Sequence, residues 1–395
     1  MVNRKKINYF CFLIIGIVLL FVVNMLRNMG ANWIPSWFPI GLRAGLFVFG
    51  VFYFIIKGKI IINTITVSVL LYAIFSVLAL FFWWDGEGNI IIDTLSQNFS
   101  LVMFAIFCIE LRHTDRNNTT MEKTLFFAFC VFLVLFMLDM IRSGTEHNAF
   151  VNNVYYLLVF VPISFSWTRN RFVFTLVLSA VSVLVSGKRT AFIALVCAII
   201  IPLLFVVFKK SNRNKILALL AFIVALVGVL LALDWINEAF DIALFERFES
   251  IGEDGGSGRI DIYQRVWNEF KSSSVIQKLF GHGYNAVAND KITYSYSSGA
   301  SIATSAHNDF LEILYDYGLF ALVFYVLFLL SLFSVSRRLY KTNNKYANTF
   351  LSALIVFVIM SSTSHLILYP TYIVMLFFAF ACGVCGLNKQ GEGLL

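Results

Sequence analysis

Four side chains in this sequence have the types and settings to do chemistry. Lys188 and Arg189 are adjacent in VSVLVSGKRTAFIAL, residues 181–195, at a short turn between two apolar segments. Arg259 opens SGRIDIYQRVWNEF, and His307 opens HNDFLEILYDYG. A guanidinium grips phosphate oxygens through a planar fork and stays charged at any working pH. An imidazole, with an ordinary pKa of about 6.5, can take a proton near neutrality. Few cations on apolar faces suit recognition of a small, dense anion at a membrane surface, such as a lipid diphosphate. A helix beginning at the 188–189 turn would add its free N–H groups to the same anion. The plainer alternative is that Lys188 and Arg189 snorkel to headgroups or cap the preceding helix.

The elements that must position these residues are membrane helices. The chain has 395 residues, 59% hydrophobic and 13% charged, against about 25% charged in soluble domains. Apolar runs long enough to cross about 30 Å of hydrocarbon recur along it. The expected fold is all-α and polytopic, with about twelve spans near 8–26, 38–56, 60–84, 91–110, 124–141, 150–167, 171–186, 190–208, 215–233, 315–336, 347–366 and 370–387. Three regions follow: spans one to nine in 1–233, a large loop in 234–314, and spans ten to twelve with a short tail in 315–395. The run after Arg4-Lys5-Lys6 lacks a small-residue cleavage site, so it is expected to be a first anchor and not a cleaved signal. Most of the 30 Lys and Arg fall in alternate short loops. That alternation puts the N-terminus inside and the large loop outside. The six cysteines show no disulfide framework; Cys382 and Cys385 read as buried small residues. GLRAG at 41–45 fits the small-xxx-small pattern and is expected to pack helices.

The large loop is not a general cationic surface. From Asp234 to Ala306 acids outnumber Lys and Arg ten to six, which leaves nucleic acid unsupported as a partner. Its helices are expected to be amphipathic. After Gly258, Ile260, Tyr263, Val266, Trp267 and Phe270 share one side, and Arg259 falls among them. Arg265 lies on the wet side. An unpaired cation against protein or membrane is costly, so Arg259 needs an anion. Further on, His307, Phe310, Leu311 and Leu314 make one stripe, while Asn308, Asp309, Glu312 and Asp316 face away. That separation argues against a metal site there, and no DxD or HExxH set occurs.

The SGKRTAF turn, the GR…W and GHGY segments of the loop, and HNDFLE running into the next span together resemble the O-antigen polymerase and O-antigen ligase superfamily. What the resemblance implies is an inverting glycosyltransferase that needs neither metal nor cofactor, working at the periplasmic face of the inner membrane. Its donor would be a glycan on undecaprenyl diphosphate. Arg189 and Arg259 would hold the diphosphate, and His307 would take the acceptor's proton, with Lys188 and Asn308 as adjacent substrate-binding candidates. SGKRTAF and HNDFLEILYDYG look more like polymerase versions. In that case a second lipid-linked oligosaccharide is the acceptor, among membrane lipids, and a chain-length regulator and a flippase are the expected co-workers. A ligase passing polymer to lipid A–core is the alternative. A lipid-linked-oligosaccharide flippase or other transporter is a second; it would call for repeated halves and mid-membrane ionisable groups. A cell-wall glycan polymerase would call for an essential external carboxylate.

Overall fold

The computed structural model describes residues 3–57, 64–83, 88–113, 119–143, 153–208, 258–290, 292, 294–297, 300–364, 366–367 and 370–388. The expected ninth span (215–233) and the first part of the large loop, 234–257, lie outside the described residues. Long helices form where apolar runs allow: α1 Asn3–Asn28, α2 Trp37–Lys57, α3 Thr64–Trp83, α4 Gly88–His113 and α5 Thr119–Ser143. Next come α6 Val154–Leu158, α7 Phe160–Ser164, α8 Arg169–Val185 and α9 Arg189–Phe208. The loop supplies α10 Arg259–Ser272, α11 Val275–Phe280, α12 Ala286–Asn289, strands β1 Tyr294–Ser297 and β2 Ala300–Ala303, and α13 Asp309–Asp316. The chain closes with α14 Gly318–Lys341, α15 Ala347–Thr363 and α16 Pro370–Asn388.

Three stretches among the described residues are long and apolar enough to cross a membrane: Met121–Arg142, Arg189–Val206 and Gly318–Lys341. Shorter apolar helices fill most of the other expected spans. The protein is therefore a helical membrane protein, and the count of twelve stays an expectation. Two particulars differ from it. The expected sixth span is broken at Val159 into α6 and α7. Pro162 lacks the N–H that would bond the carbonyl of Leu158, so one continuous helix loses its ladder there. And the loop carries one short antiparallel hairpin within an otherwise helical fold, β1 pairing with β2 and Tyr294 opposite Ala303.

Aromatic side chains join the helices. Phe75 of α3 stacks on Phe280, Phe320 and Phe324, with ring centroids 5.3–6.5 Å apart. Phe104 and Phe107 of α4 meet Phe377 and Phe378 of α16. Among the described residues, a methyl group on Gly45 of GLRAG would meet nothing within 4 Å, and one on Gly41 would meet Trp37. The packing glycine of α2 is instead Gly50, where a methyl would strike Val102 of α4. Among the described residues, GLRAG meets no neighbour that would make it a helix-packing seam.

A second, smaller core holds the loop together: Val266, Ala286, Val287, Ala306 and Tyr315, buttressed by Phe270 and Leu311. Two glycines lock it to α14. Gly281 and Gly318 both adopt left-handed backbone, φ 82° and 81°, which an L side chain resists. A Cβ on Gly281 would collide with the carbonyl of Asp316, and one on Gly318 with the carbonyl of Leu279. The GHGY and DYG segments therefore touch backbone to backbone. His282 completes the joint: its ring stacks on Tyr315 at 4.0 Å, and its backbone N–H donates to the Tyr315 and Asp316 carbonyls.

Candidate active site

The 188–189 turn is built by a left-handed glycine. Helix α8 ends at Val185, Gly187 takes φ 62°, and α9 starts at Arg189, a common way to stop a helix. The Ser186 hydroxyl donates to the carbonyl of Val183 at 2.8 Å and accepts from the N–H of Lys188 at 3.4 Å. Lys188 and Arg189 are both half-buried.

Arg259 is the first residue of α10 and is half-buried, whereas Arg265 is exposed. The apolar side of α10 is only partly covered. Val266 is buried, but Ile260 is 56% and Trp267 45% exposed. Tyr263, one turn beyond Arg259, reaches the site: its hydroxyl lies 3.2 Å from the His307 carbonyl and 3.5 Å from that of Ser362, and donates between them. The sequence placed Tyr263 on the right face but did not mark it as a support.

His307 has φ 53°, one of three non-glycine residues among those described with positive φ. Backbone strain of this kind concentrates where the surroundings hold a functional side chain in place. The Thr304 hydroxyl sits 3.1 Å from Nε2 of the ring and orients it. Burial lowers the pKa of His307 to about 4, helped by the charges of Arg259 and Lys188. The imidazole is therefore neutral at pH 7. The charges of Arg259 and Lys188 thus bear on His307, although the three residues are far apart in the chain. The cation reaching His307 from the 188–189 turn is Lys188; Arg189, one residue on, heads α9.

Asn308 is committed to structure. Its Oδ1 accepts from the N–H groups of Phe310 and Leu311 at 2.9 and 3.2 Å, capping α13. Its Nδ2 donates to the carbonyl of Ser362 at 3.0 Å. Asn308 and Tyr263 thus share one carbonyl at the end of α15, which ties the site to the bundle.

The acidic face of α13 is the reverse of the expectation. Asp309, Glu312 and Asp316 are all fully buried. Each is drawn inward by backbone N–H groups left without helical partners. The N–H of Ile367 donates to Asp309 at 3.0 Å, that of Ala306 to Glu312 at 2.6 Å, and that of Val287 to Asp316 at 3.3 Å. A helical wheel shows which residues share a side, not which side finds donors. Burial pushes Asp309 up to about 7 and Glu312 upward, with the charge of Asp309 adding to the rise in Glu312. Glu312 was missed as a support; its bond to Ala306 N–H fixes the residue just before His307. Among the described residues no cluster of three or more His, Cys, Asp and Glu could hold a metal ion. The thiol of Cys385 donates to the Cys108 carbonyl at 3.3 Å.

The raised carboxyl pKa values fix a sign for stability. Unfolded carboxyls lose their protons near pH 4; Asp309 in the fold keeps its proton up to about 7. The unfolded chain thus binds fewer protons between these values, and stability contributed below pH 4 is lost as pH rises through 7. His307 works on the other side, its share being lost as pH falls from 6.5 toward 4. Between about pH 4.5 and 7 the two contributions oppose, so Asp309→Asn should make the melting temperature in detergent rise more steeply with pH over that window than in the wild type. An unchanged slope in the variant would assign the titration to another group.

The fold and site define a helical membrane protein in which the charges of Lys188 and Arg259 bear on a half-buried histidine. Residues 174–326 match the family model described as O-antigen ligase. By that segment, less than half of the chain but including all five candidate residues, the protein is similar to the O-antigen ligase family. The match does not separate polymerase from ligase. No curated protein matches the chain closely enough to count as a relative.

Proposed function

We propose that the protein is a polysaccharide polymerase that joins undecaprenyl-diphosphate-linked oligosaccharide units at the outer face of the inner membrane, with twelve spans and the 234–314 segment outside. The observation that carries this reading is that the charges of Arg259 and Lys188 both bear on His307, although the three residues are far apart in the chain. In the proposed step an acceptor hydroxyl oxygen attacks the anomeric carbon of the donor. The bond from that carbon to the diphosphate oxygen breaks, and its electron pair leaves with the lipid diphosphate. The acceptor's proton passes to His307. Arg189, Arg259 and Lys188 stabilise the charge gathering on the leaving group. When the diphosphate binds, it offsets the cations that depress the imidazole, so His307 becomes a better base only once substrate is present.

The ligase reading is favoured by the description of the matching family and shares the same leaving group. A glycolipid gel of a deletion strain separates the two. Core bearing a single repeat unit is expected, marking a missing polymerase. Bare core with polymer held on the undecaprenyl carrier would make the protein a ligase.

A further inference from the structure

Helix α11 is short and two-sided. A capping box fixes its start: the Ser274 hydroxyl accepts from the N–H of Gln277 at 3.3 Å, and the Gln277 side chain accepts from the N–H of Ser274 at 3.0 Å. At 3.6 residues per turn, Val275, Ile276, Leu279 and Phe280 fall within one arc of about 140°. Gln277 and Lys278 lie off that arc. Its two ends have different surroundings. Phe280 packs among rings of the bundle, with its centroid 6.5 Å from that of Phe75 in α3 and 5.5 Å from that of Phe320 in α14. One turn back, Val275 and Ile276 are 72% and 56% exposed. Branched apolar side chains presented together in this way call for a partner.

Helix α14 says which partner. It is one of the stretches long and apolar enough to cross a membrane. Leu319, Val323, Leu330 and Phe333 leave an exposed apolar stripe along it, which in a spanning helix faces acyl chains. The carbonyl of Leu279 lies against Gly318, the first residue of α14, so α11 is fastened where that span begins. Phe280 lies beside Phe320, at the head of the stripe and itself exposed. Ile276, one turn before Phe280, is on the same flank. The apolar arc of α11 thus continues the stripe of α14. Lys278, off the arc, is placed to reach headgroup phosphates along its own apolar stem.

We propose that the Val275–Ile276 end of α11 is a lipid anchor, which dips into the bilayer boundary beside the first turn of α14 with the surrounding membrane lipids as its partner. The anchor does not depend on the reaction proposed above. Ser273 and Ser274 join α11 to α10, so the anchor also sets the height of the end of α10 at the membrane surface.

The test uses the full-length protein in nanodiscs of phosphatidylethanolamine and phosphatidylglycerol. Val275 and Ile276 are replaced in turn by the photo-crosslinking residue p-benzoylphenylalanine, for which their exposure leaves room. Leu330, on the stripe of α14, and Arg265, exposed on the other side of α10 from Trp267, are replaced likewise for comparison. After irradiation, mass spectrometry identifies what each position has captured. Phospholipid adducts at 275 and 276 are expected to match the yield at 330 and to exceed that at 265 at least tenfold. Yields at 275 and 276 as low as at 265, with 330 labelled, would overturn the proposal. Capture of a second copy of this chain, or of another segment of the same chain, in place of lipid would overturn it too and would make protein the cover of this face.

Discussion

Arg259→Ala and Arg189→Ala should each reduce glycan transfer by about 10²–10³, the cost of losing one donor aimed at developing negative charge. Arg259 is the stronger case. It opens α10 half-buried, and its charge bears on His307, so its removal takes away one of the two cations that act on the imidazole. Lysine at either position should rescue poorly, because a point charge cannot make two parallel hydrogen bonds to phosphate. Arg265, exposed and two turns along the same helix, should tolerate alanine with little loss. Transfer assayed with a purified lipid-linked donor decides the matter: a fully active Arg259→Lys enzyme would remove the bidentate grip, and a dead Arg265→Ala enzyme would place the cationic face elsewhere.

His307→Gln should cost about 10²–10⁴ in kcat, the usual contribution of a positioned general base. The pH profile makes the expectation sharper. In the free protein burial and two cations hold the imidazole at about 4, so the acid limb of kcat/KM assigned to this group should lie near pH 4. With the diphosphate bound the cations are offset, and the acid limb of kcat should move upward toward 6.5. Coincident limbs in the two profiles would mean that substrate does not reach Arg259 and Lys188. Thr304→Val should act on the same profile more weakly, since the Thr304 hydroxyl orients Nε2 without itself touching substrate.

Much of the fold was legible because apolar length is a direct signal. Helices α8, α9 and α14 begin and end within a few residues of the expected 171–186, 190–208 and 315–336. The halves of the site were legible for a related reason: a cation on an apolar face is rare enough to be noticed, as with Arg259. Direction was harder. The acids of α13 look solvated on a wheel and are buried, because the donors that hold them, Ala306, Val287 and Ile367, come from other segments. Spacing likewise marked Gly41 and Gly45 as contact residues, although their neighbours in space decide that, and among the described residues no other helix comes within 4 Å of either. The supports Tyr263 and Ser362 are bonded across 44 and 99 residues of chain, distances at which a single sequence carries no pairing signal.

The seam at Gly281 and Gly318 has a mechanical consequence. Two peptide planes in direct contact cannot slide, so the histidine-bearing segment and α14 must travel as one body. Any swing of the loop has to be hinged elsewhere. On the α10 side the joint is Ser273–Ser274, both extended between α10 and α11. Bending there would first have to strip the Tyr263 hydroxyl from the His307 and Ser362 carbonyls.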